Sequence, residues 1–294
     1  MKPFLVHIHI YYKNLYDELK ECIKSLNGYE YKLIVTTVHE DSELKDRVVS
    51  DFKNADFYVV PNLGFDLGPF VYALDKVNLS DYSYVIKLHT KRDIPLNENK
   101  KEFEGPKWRN ALLRFIRNKD TFNIVLDNLE SNQKIGMHGP RVAFFNKKTD
   151  DHYAHKIADE YFARKGLKKV SYRFVGGTMF MVRAEILQTI KDLGISQSDF
   201  EAPDETHRGC QMAHIFERLC GYVVYEKGFK IADCTENVML SELKYRLNIV
   251  KNEVLNFIFT KRVTSKNKLL IKVLKIPVFS MKVKDKIWKW VLAE

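Results

Sequence analysis

In the N-terminal part of the chain, short apolar runs alternate with longer stretches in which apolar residues recur every three or four positions. Phe4–Ile10 is a nearly continuous apolar run, which is typical of a strand buried on both faces of a parallel sheet. Further strands are predicted at Tyr31–Val38, Phe57–Val60 and Tyr82–Leu88, and helices at Leu15–Leu26, Ser42–Phe52 and Gly68–Leu74. This alternation indicates a doubly wound α/β sheet, whose ligands bind beyond the carboxyl ends of its strands.

The middle of the chain has longer helical patterns between its strands. Helices are predicted at Trp108–Arg117, Asp120–Leu129 and Asp151–Lys165, and strands at Lys134–Gly139, Phe174–Val182 and Tyr222–Tyr225. We therefore expect a mostly parallel sheet that continues through this part of the chain.

The C-terminal pattern predicts two amphipathic helices. In Lys268–Lys275 the lysines recur at helical spacing, and five apolar residues fill the remaining positions. Pro277 interrupts this pattern. Beyond it, Ile287 and Trp290 share an apolar side, while lysines such as Lys286 lie on another.

Nearly all of the excess positive charge lies in the same region. The chain carries a net charge of +10, and residues 245–294 hold twelve Lys and Arg against three Asp and Glu, a net charge of +9. This shift predicts a main domain, 1–244, and an appendage, 245–294. Basic amphipathic helices that contain Trp are typical of membrane-surface segments, since anionic lipids contribute about 1 kcal/mol per Lys or Arg. A helical pair packed on the main domain is the alternative, and the many Ile and Leu residues disfavour an arm that binds nucleic acid.

Composition excludes several classes of protein. Hydrophobic residues make up 45% of the chain and charged residues 29%, which permits a buried core and excludes global disorder. No uncharged apolar run reaches the roughly 18 residues of a membrane-spanning helix, and the N terminus does not resemble a secretory signal. We expect a cytoplasmic protein with reduced cysteines. Alternatively, two of the cysteines, Cys210 and Cys220, could bind zinc together with His207 and His214.

Candidate ligand-binding residues follow two of the predicted strands. After Phe57–Val60, Asn62 and Asp66 offer hydrogen-bonding groups for hydroxyls, while Gly64 and Gly68 would let the backbone approach a ligand closely. An ordinary glycine turn capped by Asp would have the same spacing.

The second cluster is a run of polar residues after Tyr82–Leu88. It consists of His89, Thr90, Lys91, Arg92 and Asp93. Cationic groups at the end of a strand can neutralise a diphosphate, although a solvated charged loop would also explain the run.

Two later segments carry further candidate groups. Gly176, Gly177 and Thr178 would let a substrate lie against the backbone, although a strand bulge explains them equally well. The candidate general bases are Asp204, Glu205, His214 and Glu217. The spacing of His214 and Arg218 places them on one helical face, which also fits an ordinary surface ion pair.

Taken in order, these motifs resemble the rhamnan synthesis protein F family, bacterial glycosyltransferase-like proteins of polysaccharide assembly. The motifs that carry the resemblance span roughly residues 4–230: His7-x-His-x-Tyr-Tyr12, Asn62-x-Gly-x-Asp-x-Gly-Pro-Phe70, Lys87-Leu-His-Thr-Lys-Arg92, Trp108-Arg109, Gly136-Met-His-Gly-Pro140, Gly176-Gly-Thr-Met-Phe180 and His214-x-x-Glu-Arg218.

The resemblance implies a GT-A-like fold and transfer of a hexosyl or deoxyhexosyl group from a nucleotide-sugar donor to a lipid-linked cell-surface glycan, of the capsule, O-antigen or rhamnan type. It also implies that Trp108, Arg109 and Arg218, with the Gly176–Thr178 segment, contact substrate. The acceptor would place the protein at the inner face of the cell membrane, held there by the basic appendage. A non-catalytic sugar-binding or nucleotide-binding partner in an assembly complex is the alternative.

The sequence departs from the usual GT-A pattern at two places. Where GT-A enzymes usually carry a metal-binding Asp-x-Asp, this chain has His89-Thr-Lys-Arg-Asp93. We expect Lys91 and Arg92 to take over the diphosphate charge, so that no cofactor is required, with Asp66 or Asp93 as fallback metal ligands. The usual positions of an acidic base hold Gln211 and Met212, so Asp204 or Glu205, supported by His214, would serve instead, unless the enzyme is retaining and needs no such base.

Overall fold

The central feature of the fold is a seven-stranded sheet. The structure is a computed structural model and describes residues 1–93, 106–140, 144–145, 152–168, 171, 173–204, 211–233, 259–263, 268–273 and 276–282. The strands of the sheet are β1 (Phe4–Ile10), β2 (Tyr31–Thr37), β3 (Ala55–Val59), β4 (Tyr84–His89), β5 (Ile135–Gly139), β8 (Phe180–Arg183) and β9 (Lys230–Asp233). Two short strands, β6 (Phe144–Phe145) and β7 (Phe174–Val175), pair separately.

The strand order is β3-β2-β1-β4-β8-β5-β9, and β8 alone of these seven runs antiparallel to its neighbours. The helices are α1 (Tyr16–Ile23), α2 (Ser42–Asp51), α3 (Leu67–Asp75), α4 (Pro106–Leu112), α5 (Lys119–Ser131), α6 (His152–Arg164), α7 (Ala184–Lys191) and α8 (Met212–Glu226). They cover both faces of the sheet. α5 packs on one face, where the Phe4 and Phe122 ring centroids are 5.9 Å apart, and α3 packs on the other, where those of His7 and Phe70 are 5.4 Å apart. The predicted α/β, doubly wound, mostly parallel class is confirmed.

The register of the central strands positions the polar residues. β1 is buried along its whole length, as its apolar run predicts. It pairs in parallel with β4, so that His7 lies beside Lys87 and His9 beside His89. Because side chains alternate between the two faces of a strand, all four project from the face that α3 covers.

The predicted strand Tyr222–Tyr225 is wrong, because these residues form the last turns of α8. The run is apolar and partly β-branched, which favours a strand in isolation. It continues a buried helix instead, and β9, which the sequence pattern does not predict, follows at Lys230–Asp233.

The predicted strand Phe174–Val182 is two strands in different sheets. β7 ends at Val175, and β8 begins at Phe180. The intervening residues turn through left-handed backbone at Gly177 and Thr178, with φ of 78° and 53°. A turn of this kind interrupts the strand and brings Thr178 to the end of the central sheet.

The predicted helix Lys268–Lys275 is also wrong in the part that the structure describes. The chain divides into the units Met1–Thr235 and Glu236–Glu294, and the second contains an antiparallel sheet of β10 (Phe259–Val263), β11 (Lys268–Val273) and β12 (Ile276–Lys282). Lysines four positions apart share one side of a strand as well as of a helix, so their spacing did not discriminate between the two. The predicted second helix, with Ile287 and Trp290, lies outside the described residues.

Among the helices that the structure describes, none combines the length and the apolar character needed to cross a bilayer.

Candidate functional site

A buried polar group lies at the carboxyl ends of β1 and β4. Lys87 is completely buried, and its Nζ donates hydrogen bonds to Asp66, to the Thr178 carbonyl at 3.0 Å and to Thr178 Oγ1 at 3.2 Å. Thr178 Oγ1 in turn donates to Asp66 Oδ2 at 2.6 Å, and His89 Nδ1 lies 3.3 Å from the same oxygen. We call these four residues (Asp66, Lys87, His89 and Thr178) the Asp66 cluster.

The cluster holds one negative and one positive charge. Burial by itself would raise the pKa of the Asp66 carboxyl, but the Lys87 ammonium and the hydrogen bonds from Lys87 and Thr178 hold that pKa well below its ordinary value. Burial lowers the pKa of His89 well below 6.5. His89 is therefore neutral near pH 7, and the Lys87 ammonium balances the Asp66 carboxylate.

Two further imidazoles extend the polar group along β1. Thr36 Oγ1, on β2, is hydrogen-bonded to His7 Nε2 at 2.9 Å and to His9 Nδ1 at 3.0 Å. Both rings are buried, and burial lowers the pKa of His7 well below 6.5 and that of His9 to about 4. Both rings are therefore neutral near pH 7 and lie next to the Asp66 cluster on the same face of the sheet.

Left-handed backbone occurs beside Asp66 on both sides. Among the described residues, the only non-glycine positions with positive φ are Phe65, at 57°, and Thr178, at 53°. One precedes Asp66 in the chain, and the other donates a hydrogen bond to it. Such conformations cost about 1–3 kcal/mol each and persist where the surrounding structure fixes them, often at functional sites.

Glu217 accepts a hydrogen bond from the residue next to Thr178, a member of the Asp66 cluster. The Gly177 backbone N–H donates to Glu217 Oε1 at 2.9 Å. Burial raises the pKa of Glu217, an effect that Asp66 strengthens and that Arg218 and Lys91 oppose. A half-buried carboxyl with a raised pKa, fixed by a backbone donor, is suited to accept a proton.

The glycines predicted to approach a ligand approach other parts of the protein instead. A Cβ on Gly64 would lie 2.3 Å from Phe200 Cδ1, and one on Gly68 would lie 2.1 Å from the Leu63 carbonyl oxygen. Asn62 is exposed. The glycines therefore shape the loop that presents Asp66.

Substituting Gly64 by Ala should lower the free energy of unfolding by about 2–5 kcal/mol. Its φ of +67° costs an L-residue about 1–2 kcal/mol, and overpacking against Phe200 adds about 1–3 kcal/mol. Gly194→Ala is the matched control, because Gly194 has φ of +68° and no atom lies within 4 Å of the position that an alanine Cβ would take there. Urea denaturation measures both, and equal losses would contradict the role of the Phe200 contact.

Thr90 contacts the backbone of the loop that follows β1. Its Oγ1 accepts hydrogen bonds from the backbone N–H groups of Tyr11, at 2.9 Å, and Tyr12, at 3.0 Å. The side chain is buried. Thr90 therefore links the segment after β4 to the loop after β1 and holds the two together beside the site.

The charged residues after β4 are partly engaged with one another. Arg109, on α4, donates to Glu18, to Asp93 and, at 3.3 Å, to the Lys91 carbonyl. Arg92 is exposed, while Lys91 is half-buried. Arg109 thus holds the His89–Asp93 segment in place. The positive charge of Lys91 contributes to lowering the pKa of His89 and opposes the rise in the pKa of Glu217.

The residues implied to contact substrate mostly pack inside the protein. Trp108 is buried, and a Cβ on Gly177 would lie 3.2 Å from its ring and 2.7 Å from Leu112. Gly176 is buried as well. The guanidinium of Arg218 lies 5.2 Å from the Phe174 ring centroid, and its Nη1 donates to the His214 carbonyl at 2.7 Å.

The other candidate bases lie around the start of α8. His214 is one helical turn before Glu217, and its ring centroid is 6.0 Å from that of Phe65. The Asp204 backbone N–H donates to Gln211 Oε1 at 3.4 Å. Glu205 lies outside the described residues, as do His207 and Cys210 of the alternative zinc site, while Cys220 is a buried free thiol.

Residues 2–229 match the family described as Rhamnan synthesis protein F. The chain belongs to this family. Two curated relatives, both named "Uncharacterized protein WxcX" and from Xanthomonas campestris pv. campestris strains B100 and ATCC 33913, are 22% identical to it over 246 residues. The match covers 81% of this chain and 33% of each relative. The chain thus spans about a third of the length of the curated relatives that it matches.

Two solved structures show weaker likeness to this rhamnan synthesis F chain. Glucosyl-3-phosphoglycerate synthase from Mycobacterium tuberculosis, in complex with Mn²⁺, UDP and glucosyl-3-phosphoglycerate, is 10% identical with a TM-score of 0.36, over 96% of this chain and 90% of that one. S. aureus TarS 1–349 is 11% identical with a TM-score of 0.41, over 86% and 66%. At these values the likeness supports no conclusion about individual residues.

Lys87 and the two histidines of β1 lie at the site, although the sequence analysis names them only as parts of the family motifs and not as candidate site residues. A lysine inside the apolar strand Tyr84–His89 is itself a signal, because an ammonium is buried only beside a partner. Tyr11, in the same motif as His7 and His9, is 39% exposed, and its ring centroid lies 5.4 Å from that of His39 beyond the ends of β1 and β2.

The described residues of this rhamnan synthesis F chain do not fit a divalent cation well. Lys87 already neutralises the Asp66 carboxylate, and Arg109 that of Asp93. Within the described ranges, no three His, Cys, Asp or Glu side chains are grouped to hold an ion. Divalent cations such as Mg²⁺ prefer uncompensated oxygen ligands, and these carboxylates are already compensated.

Acidification should destabilise the protein. His9 and His138 are buried, and burial lowers the pKa of His9 to about 4 and that of His138 to about 3. Both lie below the ordinary value of 6.5, so the unfolded chain binds more protons as the pH falls through that value. Stability present above pH 6.5 is then lost, by about 2 kcal/mol for each histidine at pH 5.

Urea denaturation between pH 7.5 and 5 measures this loss. His138→Leu removes one titrating ring without adding a polar group to the core, so its stability should fall less steeply with acidification. A variant with the same pH dependence as the natural chain would contradict the role assigned to His138.

Proposed function

We propose that this chain is a glycosyltransferase that moves a hexosyl or deoxyhexosyl group from a nucleotide-sugar donor to a lipid-linked cell-surface polysaccharide. The observation that carries the proposal is the Asp66 cluster, a charge-balanced buried group at the carboxyl ends of central strands in a doubly wound sheet. Ligands of such sheets bind at that edge. Membership of the rhamnan synthesis F family supports polysaccharide synthesis as the setting.

The donor diphosphate is assigned to Lys91 and Arg92. Both follow β4 directly, and Lys91 acts electrostatically on His89 and Glu217. Fixed cationic donors bind phosphate oxygens strongly and stabilise the charge that develops on a departing nucleoside diphosphate. Arg109 supports them by donating to the Lys91 carbonyl.

Glu217 is assigned as the general base. In this step its carboxylate takes the proton of an acceptor hydroxyl, while that oxygen bonds to the anomeric carbon and the bond to the diphosphate breaks. The Gly177 N–H fixes Glu217, and burial raises its pKa toward the working range of a base. Asp204, Glu205 and His214 are the alternative bases.

The proposal is tested on the purified full chain with a panel of nucleotide sugars. Thermal stabilisation reports donor binding, because a ligand far above its Kd raises stability by a few kcal/mol. Release of nucleoside diphosphate reports turnover, with and without EDTA. Binding and release that persist in EDTA would support the role of Lys91 and Arg92, while loss of turnover in EDTA would contradict it.

A non-catalytic binding partner in an assembly complex is the second candidate. The replacement of Asp-x-Asp by a His89–Asp93 segment, and of the usual acidic base by Gln211 and Met212, favours it. It predicts thermal stabilisation by a nucleotide sugar without release of nucleoside diphosphate, whereas a chain that is stabilised by none of the donors would contradict both candidates.

The basic appendage is proposed to hold the enzyme peripherally at the inner face of the cell membrane. Residues 268–273 form a strand and not the predicted amphipathic helix, so that helix no longer supports the proposal. The proposal rests on the net charge of +9 in residues 245–294. Basic segments near anionic lipid gain about 1 kcal/mol per Lys or Arg.

A chain ending at residue 244 should therefore lose binding to vesicles that contain anionic lipid. Vesicle sedimentation measures the bound fraction, and neutral vesicles and raised salt are the controls, since screening weakens an electrostatic attraction. Equal partition of the full and shortened chains would contradict the proposal.

A further inference from the structure

The two carboxylate oxygens of Asp66 have different surroundings. Every side-chain contact of Asp66 with the described residues falls on Oδ2, which faces Lys87, Thr178 and His89. Oδ1 accepts no hydrogen bond from the part of the chain that the structure describes, and 18% of the side chain is exposed. A carboxylate has about four lone-pair positions, so Oδ1 is available to a ligand.

The charge of the cluster limits what that ligand group can be. An ionised carboxylate repels a phosphate, and a second cation is not needed because Lys87 already balances Asp66. The remaining partner is a neutral hydrogen-bond donor. Hydroxyl groups meet that requirement, and they are the main donors of a sugar.

The neighbours of Asp66 indicate which part of a nucleotide sugar would lie there. Thr178 donates to Asp66 at 2.6 Å, and the adjacent Gly177 N–H donates to Glu217 at 2.9 Å, so both carboxylates lie at the same turn. Lys91 follows two residues after His89, which lies 3.3 Å from Asp66. With the diphosphate at Lys91 and the base at Glu217, the group between them is the sugar that is transferred. The left-handed backbone at Phe65 and Thr178 fixes Asp66 from both sides.

We propose that Asp66 Oδ1 accepts a hydrogen bond from a hydroxyl of the transferred sugar, and that Lys87 and Thr178 are positioning residues that orient Asp66 for it. This inference rests on the proposed function and names the residue that reads the sugar. A charge-assisted hydrogen bond in a partly buried site loses much of its strength when the acceptor becomes neutral. Specificity for the sugar then depends on the hydrogen bonds that fix Oδ2 of Asp66 and on the accessibility of its Oδ1.

The test compares dissociation constants for a nucleotide sugar and for its nucleoside diphosphate alone. The probes are UDP-glucose with UDP, dTDP-rhamnose with dTDP and GDP-mannose with GDP, and calorimetry uses the pair that stabilises the natural chain most. Asp66→Asn should raise the dissociation constant of the nucleotide sugar about tenfold and change that of the nucleoside diphosphate less than twofold. A loss of equal size for both ligands would overturn the assignment to the transferred sugar.

Deoxy analogues of that sugar identify the hydroxyl. The analogue lacking the contacted hydroxyl should bind the natural chain about tenfold more weakly than the parent does, and Asp66→Asn should not distinguish the two. If each analogue loses as much affinity relative to the parent in Asp66→Asn as in the natural chain, Asp66 contacts no sugar hydroxyl and the inference fails. Donor binding by the natural chain would still leave the proposed function standing.

Thr178 tests the positioning role without removing a charge. Thr178→Ser keeps the hydroxyl and should keep the affinity for the nucleotide sugar, whereas the nearly isosteric Thr178→Val should weaken it selectively. Far-UV circular dichroism checks that both variants are folded. Equal affinities for Thr178→Val and Thr178→Ser would overturn the positioning role, and binding of no probe by the natural chain would overturn the proposed function together with this inference.

Discussion

Replacing Lys87 by Met is expected to lower the free energy of unfolding by about 3–5 kcal/mol. The substitution fills the space of the lysine stem but removes the ammonium that balances Asp66. A carboxylate that is mostly buried is then left without a cation, and burial drives its pKa upward. Urea denaturation at pH 7.5 measures the loss.

The double variant Lys87→Met/Asp66→Asn should be more stable than Lys87→Met alone, because it removes both charges together. Lys32→Met is the matched control: Lys32 pairs with Asp56 at 2.6 Å, but both side chains are about a third exposed. A surface pair contributes about 0–1 kcal/mol. A similar loss for Lys87→Met and Lys32→Met would contradict the account of the buried pair.

Replacing Glu217 by Gln is expected to lower kcat by about 10²–10⁴-fold, the usual contribution of a general base. The amide can still accept the hydrogen bond from the Gly177 N–H, so the local structure should persist. Donor affinity should stay within a few-fold of that of the natural chain. Steady-state kinetics with the donor found in the binding screen, and calorimetry with its nucleoside diphosphate, separate the two effects.

Glu226→Gln is the control, because Glu226 is an exposed carboxylate at the end of the same helix, α8. Its kcat should be unchanged. Asp204→Asn and His214→Gln test the alternative bases. Loss of kcat in either of these variants, with kcat preserved in Glu217→Gln, would move the role of base away from Glu217.

The fold could be predicted where burial alone decides the structure. Phe4–Ile10 is apolar throughout, because both faces of β1 are covered, and the strand has the predicted bounds. Tyr222–Tyr225 is equally apolar but belongs to α8. A short apolar run fits a buried helix as well as a buried strand, and only tertiary contacts decide between them.

The candidate site was predictable as a set of segments and less so as a set of contacts. Asp66 and His89 meet because parallel strands end at one edge of the sheet, a rule that applies to the strand pattern alone. Thr178 reaches Asp66 through a left-handed turn inside what the sequence indicates as one strand. Trp108 and Arg218 carry chemical groups suited to a ligand, but they pack against Gly177 and Phe174 instead.

The hydrogen bond between Thr178 and Asp66 joins residues 112 positions apart, and the one between Lys87 and Thr178 joins residues 91 positions apart. Contacts of such large sequence separation form late, because closing a long chain segment costs entropy before the contact rewards it. The Lys87 ammonium cannot lose its water until this closure brings its partners together. Completion of the Asp66 cluster therefore requires this long-range closure, and a partly synthesised chain that ends before Thr178 would lack the cluster.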